Sequence, residues 1–136
     1  MTDLLGGQVD VMCDQTTNTV PQIEAGTIKG YAVTTPERLP VLPDLPTLDE
    51  AGLEGFEMTV WHGLYAPAGT PKEIVEKLSA ALQVAVQDPK VVERFAQLGT
   101  APVAPDQAIP VALDQHLAAE IERWKPIIQA AGAYAD

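Results

Sequence analysis

The alternation of apolar and polar positions along the chain predicts a mixed α/β fold. Short runs rich in apolar and β-branched residues, each bounded by turn residues, predict strands at 8–13, 28–33 and 57–66, and residues 100–103 are a candidate for one more. Longer segments with apolar residues at helical spacing dominate the second half of the chain. We therefore expect strands early in the chain and a helix-rich C-terminal tail.

The first part of the chain has the pattern of a parallel βαβ unit. A polar loop of helix-capping residue types, residues 14–19, follows the first predicted strand. A short helix through residues 20–25 comes next, with Pro21 at a first helical position and Gly26 as its left-handed stop. Because the links are tight, the two flanking strands are expected to run parallel. The prolines within residues 34–46 then forbid a regular helix or a central strand and predict a stiff crossover.

Two capping boxes predict further helix starts. The segment Thr47–Glu50 is expected to begin a helix of one to two turns that is closed at Gly52. The segment Thr70–Glu73 is expected to begin a longer helix, with Thr70 as N-cap and Pro71 as the first helical residue. The apolar residues of this longer helix share one face: Ile74, Val75, Leu78, Ala81, Leu82 and Ala85.

Two more helices complete the pattern. One is predicted to start at Asp88-Pro89 and to close at Gly99. The last is predicted to start at Asp106, to kink at Pro126 where a hydrogen-bond donor is missing, and to end at Gly132. Its apolar stripe is expected to face a core: Leu113, Leu117, Ile121, Trp124 and Ile128.

Composition narrows the classes of partner. The 136 residues carry a formal net charge of -11, and the sequence pI is about 4.4. The clustered Lys and Arg that would attract a nucleic acid or an anionic membrane surface are therefore lacking. No apolar run approaches the roughly 20 residues that a membrane span needs, so direct membrane insertion is not expected. The single cysteine, Cys13, lies in an apolar segment and is predicted to be a buried small hydrophobic residue.

Motifs for catalysis and metal binding are absent from the sequence. It has no G-x-S-x-G, H-E-x-x-H, phosphate-loop or Cys–His motif. The only serine, Ser79, falls in the middle of a predicted helix, and His116 lies on another helix without metal-ligand spacing. We therefore expect a protein that is not an enzyme and that needs no cofactor or metal.

The best candidate for a binding site is the loop of Asp14, Gln15, Thr16 and Thr17. It lies at the carboxyl end of a predicted parallel strand and leads into a helix, which is where α/β sheets place ligands. Its backbone N–H groups and Thr hydroxyls can donate to an anion, and Asp14 can accept from a ligand amine or hydroxyl. The alternative is that these residues only cap the helix, although one residue can do both.

Four residues on neighbouring segments are weaker candidates. Thr34 and Thr35 end the second predicted strand, where they either line the same cleft edge or serve only in a turn. Trp61 and His62 alternate along the third predicted strand and so point to opposite faces. Of these two, Trp61 is the candidate for the cleft. The alternative is core packing for Trp61 and a solvated His62.

Residues 1–7 have no basic region and no apolar signal core. They read like the last turn of a helix, stopped by glycine, whose earlier part is missing. The chain thus looks entered in mid-fold, and we expect it to be truncated.

Several segments, in matching order and spacing over nearly the whole chain, resemble the tripartite tricarboxylate transporter (TctC-like) receptors, also called the Bug family of extracytoplasmic solute-binding proteins. The matching segments are Gly7–Met12 with Asp14, Pro21–Gly26, Ala32–Thr35, Leu42–Leu53, Trp61–Pro71, and Trp124 with Ala130–Gly132. The Pro-Asp-x-Pro-Thr and Ala-Pro-Ala-Gly-Thr-Pro motifs together are the specific part of this resemblance.

The resemblance implies a type II periplasmic-binding-protein fold, in which two α/β lobes close around a ligand. It covers only the C-terminal half of such a receptor. On that basis, residues 1–56 are expected to be part of the second lobe, with the βαβ unit and the crossover. Residues 57–136 are expected to return to the first lobe with one strand and three helices.

The resemblance also implies a function. A receptor of this family would capture a small mono-, di- or tricarboxylate for membrane transporter subunits, and Asp14 matches a position near the ligand. The location implied is periplasmic, whereas a chain without a signal peptide is expected in the cytoplasm when expressed alone. The alternative is a truncated remnant or interaction module that binds no ligand by itself. Its exposed apolar faces would drive self-association, so a homodimer is expected.

Overall fold

The computed structural model describes residues 1–132, and within them the chain forms five helices. They are α1 (Thr2–Leu5), α2 (Thr16–Glu24), α3 (Lys72–Ala85), α4 (Pro89–Gln97) and α5 (Pro110–Ala130). Among these described residues there is no regular strand, and one isolated parallel bridge joins Val33 and Thr47. None of the five helices combines the length and the hydropathy that crossing a bilayer requires.

The strands predicted from the sequence do not form within the described part of the chain: 8–13, 28–33, 57–66 and 100–103. A strand needs a neighbouring backbone that takes up its N–H and C=O groups, because these groups must be paired or solvated. Apolar patterning identifies segments that suit a sheet, but it does not supply that neighbour. The prediction of a βαβ unit with two regular strands is therefore wrong for these residues.

Single backbone hydrogen bonds form where the predicted strands would make continuous β-ladders. Val33 donates to the Pro46 carbonyl at 2.9 Å and accepts from the Leu48 N–H at 2.8 Å. The Met58 N–H donates to the Thr34 carbonyl at 2.9 Å. The proline-rich crossover thus returns to the end of the second predicted strand, and the third predicted strand touches it beside that point.

Glycines end the helices where the sequence predicts. Gly26 after α2 and Gly99 after α4 both have a φ of 68°, a left-handed conformation that is unfavourable for residues with a Cβ. After α2, the Thr27 N–H donates to the Gln22 carbonyl at 3.0 Å, which is the long bond of a Schellman motif. α5 likewise stops before Gly132, as predicted.

α2 starts earlier than predicted. It begins at Thr16, because the residues expected to form a loop continue the helix, with the N–H groups of Asn18 and Thr19 donating to the Gln15 carbonyl at 3.0 and 3.1 Å. Pro21 therefore lies inside α2 and not at its first position. The predicted polar loop is thus shortened to its first two residues.

The predicted capping of α3 is wrong. Thr70 does not cap the helix, because its hydroxyl donates to the Pro67 carbonyl at 2.8 Å. Pro71 is the N-cap residue, and no side chain makes a capping hydrogen bond. The predicted apolar face of α3 is also left open, since Ile74 and Leu78 are each 44% exposed.

α5 begins at Pro110, with Ile109 as its N-cap, and not at the predicted Asp106. The residues before it form a turn, in which the Ala108 N–H donates to the Pro105 carbonyl at 3.2 Å. A proline at the first helical position leaves no orphan N–H there, which favours the later start.

The place of Trp124 on the apolar stripe of α5 predicts that it is buried in a core. The structure shows it half-buried, so that prediction is wrong. Its indole N–H donates to a Glu120 carboxylate oxygen at 2.9 Å, one turn earlier. The Arg123 guanidinium lies 5.5 Å from the centre of the Trp124 ring. The indole of Trp124 thus contacts two charged side chains of its own helix, one through its N–H and one through its ring.

The capping box at Thr47 is present but closes only one turn. The Thr47 N–H donates to a Glu50 carboxylate oxygen at 2.9 Å, and the Glu50 N–H donates to the Thr47 hydroxyl at 3.1 Å. The Leu53 N–H returns to the Leu48 carbonyl at 3.0 Å, with Gly52 at a φ of 105°. The expected helix of one to two turns is therefore a single hydrogen-bonded turn.

Contacts divide the chain into two compact units. The first consists of Met1–His62 and Pro89–Pro102, and the second of Gly63–Asp88 and the described residues from Val103 onward. Few of the described side chains are buried: Val20, Val33 and Thr47 in the first unit, and Ala108 in the second. The assignment of residues 1–56 and 57–136 to two receptor lobes stays a prediction.

Cys13 is exposed, so its predicted burial is wrong. Its neighbours Val11 and Met12 are exposed as well, Val11 by 75%. The physical reason is the lack of a neighbouring strand. Residues 11–13 have the apolar pattern of a strand in a sheet, but there is no sheet among the described residues for them to pack in.

The chain has a large accessible surface for its mass. Its accessible surface is 10143 Å² for a mass of 14.5 kDa. A compact monomer of that mass exposes about 6,900 Å², and two separate compact bodies of half the mass would together expose about 8,300 Å². The excess is therefore at least about 1,800 Å² by this scaling, even if the two units are counted separately.

Candidate functional site

Asp14 lies just before α2, and local groups already engage its carboxylate. The Gln15 N–H donates to Asp14 Oδ1 at 2.8 Å, and the Asn18 side-chain amide donates to Oδ1 at 3.2 Å and to Oδ2 at 3.3 Å. A negative charge is favourable at a helix N-terminus, where the backbone dipoles leave partial positive charge. The helix-start role, which was the alternative for Asp14, is thus observed, and contact of Asp14 with a ligand stays a prediction.

Thr16 and Thr17 form the first turn of α2, and both are half-buried. Among the described residues, no acceptor takes up their backbone N–H groups or hydroxyls. The first N–H groups of any helix lack intrahelical acceptors, so they remain able to bind an anion or water. Gln15 is the exposed N-cap residue, and its side chain makes no capping bond. The free donors at this end of α2 therefore come from Thr16 and Thr17.

The start of α2 is held by close packing from two other segments. Val20, one turn after Thr16, is fully buried. A Cβ built on Gly99 would lie 3.2 Å from Thr16 Cβ, from Val20 Cγ2 and from Val41 Cγ1. The missing side chain at Gly99 thus lets the end of α4 and the crossover approach the first turns of α2.

Thr34 and Thr35 have separate roles. The Thr35 hydroxyl donates to the Glu37 carbonyl at 2.7 Å, which is the turn role that the sequence left open. The Thr34 carbonyl accepts from Met58, while its hydroxyl has no hydrogen-bond partner among the described residues. Of the two, Thr34 keeps the side-chain donor that a ligand would need.

Trp61 is half-buried and His62 is exposed, which confirms the solvated reading of His62. Trp61 is therefore neither a fully buried core residue nor a freely exposed one. Its segment is anchored three residues earlier, where the Met58 N–H meets the Thr34 carbonyl. The seven candidate residues all belong to the first compact unit: Asp14, Gln15, Thr16, Thr17, Thr34, Thr35 and Trp61.

Two features of this region were missed from the sequence. From the sequence, Asn18 is treated only as a helix-capping residue type, although its spacing of four from Asp14 is a signal for the observed contact. The approach of Gly99 to Thr16 had no signal, because the two are far apart in sequence and the glycine was explained by helix termination alone.

A second polar cluster fixes the crossover. Arg38 Nε lies 2.8 and 3.1 Å from the two carboxylate oxygens of Glu50, and Arg38 Nη1 donates to the Pro43 carbonyl at 3.1 Å. The Thr47 backbone N–H, followed by the Arg38 guanidinium, lowers the pKa of Glu50 below its ordinary value. The capping box was predicted, but the arginine that completes it was not.

A groove of about 340 Å³ lies beside α2, between Ile23, Gly30 and crossover residues 41–45. Its lining is mainly apolar, and its one charged residue is Asp44. None of the seven candidate residues lines it, and its chemistry does not suit an anion. Among residues 1–132, no group of three or more His, Cys, Asp and Glu side chains is placed to hold a metal ion.

Comparison with known proteins gives a family match over the described chain. The family described as tripartite tricarboxylate transporter family receptor matches residues 1–133. The UPF0065 protein in the TAR-I ttuE-ttuC' intergenic region of Agrobacterium vitis is 58% identical over 132 residues, which are 97% of this chain and 38% of that relative. BugT of Bordetella pertussis is 32% identical over 133 residues, which are 96% of this chain and 39% of BugT.

Solved structures of periplasmic binding proteins share the backbone. BugD matches with a TM-score of 0.93 and 51% identity, over 100% of this chain and 45% of BugD. MatC of Rhodopseudomonas palustris, solved with bound malate, matches with a TM-score of 0.88 and 46% identity, over 93% of this chain and 43% of MatC. An R. palustris protein solved with adipate matches with a TM-score of 0.84 and 34% identity, over 96% of this chain and 43% of that protein.

The chain spans 38% of the Agrobacterium relative and 45% of BugD, so each of these relatives is more than twice as long as the part it shares. The matched family is described as a receptor family, and BugD is described as a periplasmic binding protein. The resemblance inferred from the sequence is confirmed, and the chain belongs to the tripartite tricarboxylate transporter receptor family.

Proposed function

We propose that this chain is part of a type II periplasmic receptor that captures small carboxylates for the subunits of a tripartite membrane transporter. The observation that carries the proposal is its likeness to two structures solved with dicarboxylates, malate at 46% identity and adipate at 34% identity. In this chain the donors for such a ligand are the N–H groups and hydroxyls at the start of α2.

The start of α2 suits a carboxylate for two reasons. Its first N–H groups and the hydroxyls of Thr16 and Thr17 have no acceptor among the described residues. The helix dipole adds partial positive charge at the same place. These donors act at short range, which matters because the protein carries a net charge of -11 and repels an anion at long range.

Asp14 and Thr34 complete the proposed set. The Asp14 carboxylate accepts a hydrogen bond from a hydroxyl of the ligand while it keeps its hydrogen bond from the Asn18 amide. The Thr34 hydroxyl, which has no partner among the described residues, donates to the ligand. Trp61, half-buried on the segment joined to Thr34, supplies an apolar wall for the carbon chain of the ligand. Gln15 and Thr35 contribute backbone placement and turn geometry.

The test is calorimetric titration of the chain with malate and adipate, with 1,6-hexanediol as a neutral ligand control. Replacement of Thr17 by Val removes one hydroxyl at nearly constant volume. We expect it to weaken binding by roughly tenfold or more, since a hydrogen bond to a charged group contributes about 1.5–3 kcal/mol. The matched control is Thr2→Val on the exposed helix α1, which should leave the affinity unchanged.

Two results would count against this function. The first is the absence of binding by the wild-type chain to both dicarboxylates at millimolar concentration. The second is binding that hexanediol reproduces, because the site would then recognise apolar length and not a carboxylate.

A second candidate function is that of an interaction module that forms a homodimer. The observation favouring it is the surface excess of at least about 1,800 Å², which is comparable to the area that a stable protein interface covers. Apolar side chains contribute to it, among them Val11, Tyr31, Leu64 and Val84, each more than half exposed. Such surface favours association with a second copy or a partner chain.

Sedimentation velocity at micromolar concentration tests the homodimer. We expect the sedimentation coefficient of the wild-type chain to rise with concentration, and Val11→Glu to shift the equilibrium toward monomer. Gln8→Glu adds the same charge at an exposed polar position nearby and is the control. A monomer that shows no concentration dependence would exclude this candidate.

A further inference from the structure

Gly99 stands at an unusual junction in the first unit. It follows α4 as the left-handed residue of a Schellman motif, with a φ of 68° and with the Thr100 N–H donating to the Phe95 carbonyl at 3.0 Å. Helix termination alone would explain a glycine at this position. It does not explain the side chains that surround it.

The space beside Gly99 is filled by α2 and the crossover. A Cβ at position 99 would lie 3.2 Å from Thr16 Cβ, Val20 Cγ2 and Val41 Cγ1, which is closer than ordinary van der Waals contact. Val20 is fully buried. Thr16 Cβ is attached directly to the backbone of the first helical residue, so its displacement moves the start of α2.

Gly26 provides the contrast. It has the same φ of 68° and ends α2 itself, yet a Cβ built there would meet nothing within 4 Å. The two glycines therefore share the backbone requirement and differ in their surroundings. Of the two, only Gly99 would bring a Cβ against the first turn of another helix.

We propose that Gly99 is a positioning residue for the carboxylate site, because its bare Cα sets the placement of Thr16 and the first turn of α2. The proposal rests on the proposed function for its ligand. Its structural half, the control of the α2 start by residue 99, stands independently of any ligand.

The experiment compares Gly99→Asn with Gly26→Asn in the 136-residue chain. Asparagine tolerates the left-handed conformation better than other residues with a Cβ, so both variants retain helix termination and differ in crowding. Backbone amide resonances of Thr16 and Thr17 report the α2 start without ligand. Titration with malate reports affinity, and thermal unfolding reports stability.

We expect Gly99→Asn to shift the amide resonances of Thr16 and Thr17 and to weaken malate binding by roughly tenfold, because hydrogen-bond donors lose strength when they leave the 2.7–3.2 Å range. Gly26→Asn should leave both unchanged, and its melting temperature should fall less than that of Gly99→Asn, because a Cβ at position 26 meets nothing within 4 Å. A general loss of stability in Gly99→Asn would not single out the Thr16 and Thr17 resonances.

Adding Val41→Ala to Gly99→Asn removes one of the three crowding atoms. Recovery of the Thr16 resonance, or of folding if Gly99→Asn alone is unfolded, supports crowding as the cause. The proposal is overturned if Gly99→Asn leaves the Thr16 and Thr17 resonances in place, or if Val41→Ala brings no recovery. If the wild-type chain does not bind malate but Gly99→Asn shifts those resonances, the proposed function fails for this chain while the positioning role holds.

Discussion

At the scale of single residues, Asp14 is an anion placed at a site proposed for anions. Its carboxylate is held by the Gln15 N–H and the Asn18 amide, and so it already uses part of the positive potential of α2. Its charge opposes a second carboxylate nearby, and only a ligand with a hydrogen-bond donor gains from it. Asp14 should therefore affect ligands with and without a hydroxyl differently.

Malate has a hydroxyl and adipate has none, so Asp14→Asn should separate them. We expect malate affinity to fall relative to adipate by roughly tenfold, the value of one hydrogen bond to a charged group. Adipate affinity should rise slightly, because a repulsive charge is removed. Competition titrations of both ligands check this ratio. An equal change for both would mean that Asp14 serves only the helix start.

Two glycines without positive φ test packing at single sites. A Cβ at Gly63 would lie 2.9 Å from Tyr65 Cε2 and 3.0 Å from Leu113 Cδ1, whereas a Cβ at Gly30 would lie 3.2 Å from its nearest atoms, all at the ends of flexible side chains. Gly63→Ala should destabilise the fold by about 1–3 kcal/mol, as overpacking does.

Gly30→Ala should cost less than Gly63→Ala, because its nearest contacts would lie at 3.2 Å and those at Gly63 at 2.9 and 3.0 Å. Urea unfolding measures both changes. The double variant Gly63→Ala with Leu113→Ala should cost less than the sum of the single changes, since the smaller side chain relieves the contact. Equal costs at the two glycines, or strict additivity in the double variant, would contradict the packing argument.

At the scale of elements, the cluster of Arg38, Thr47 and Glu50 joins the crossover to the turn that follows it. The turn is closed by the reciprocal bonds of the capping box, and Arg38 adds a bond to the Pro43 carbonyl within the crossover. Thr47 is buried at the point where Val33 pairs with the returning chain. The crossover is therefore ordered by one charged cluster in place of a regular element.

This cluster makes stability depend on pH in a defined direction. The pKa of Glu50 is lowered in the folded chain from its ordinary value of 4.5 by the Thr47 N–H and Arg38. Its contribution is thus fully present above about pH 4.5 and is lost as the pH falls through the lowered folded value. Thermal unfolding of the wild type and Glu50→Gln should differ at neutral pH and converge at lower pH.

Glu54→Gln is the control for that measurement, since the described residues give Glu54 no hydrogen bond or ion pair. Its difference from the wild type should stay small at every pH. A difference between the wild type and Glu50→Gln that does not shrink on acidification would show that the carboxylate charge does not stabilise the turn.

Element predictions succeeded where the cause is local. Gly26, Gly99 and the pair of Thr47 and Glu50 act through their own backbone and the residues beside them, and the structure places them as predicted. Strands failed because their hydrogen bonds must come from a distant segment. The capping by Thr70 failed because a nearer carbonyl, that of Pro67, competes for its hydroxyl.

At the scale of the whole molecule, the exposed surface is the dominant feature. The chain exposes 10143 Å², and 20 large hydrophobic side chains are exposed among the described residues. The shared part of BugD has the same backbone with a TM-score of 0.93, although BugD is more than twice as long. The chain thus shares the backbone path of that part of BugD and leaves many of its own large apolar side chains exposed.

Unfolding should therefore expose unusually little additional surface. A compact chain of this length unfolds with a heat-capacity change of about 1.6–2.0 kcal/mol/K. We expect a clearly smaller value from calorimetry at concentrations where the chain sediments as a monomer. The value should rise with concentration if a homodimer covers the open faces. A full-sized change for the monomer would contradict the surface estimate.

The sequence by itself determined the family, the glycine stops, the capping box and the location of free donors near residues 14–17, because each depends on local chemistry or on a motif. Only the tertiary structure decided that α2 begins at Thr16, that the apolar segments remain without strand ladders, and that Gly99 lies against Thr16. All three features depend on which residues, distant in sequence, lie next to one another in the folded chain. No pattern along the chain records that spatial relation, so it had to come from the fold.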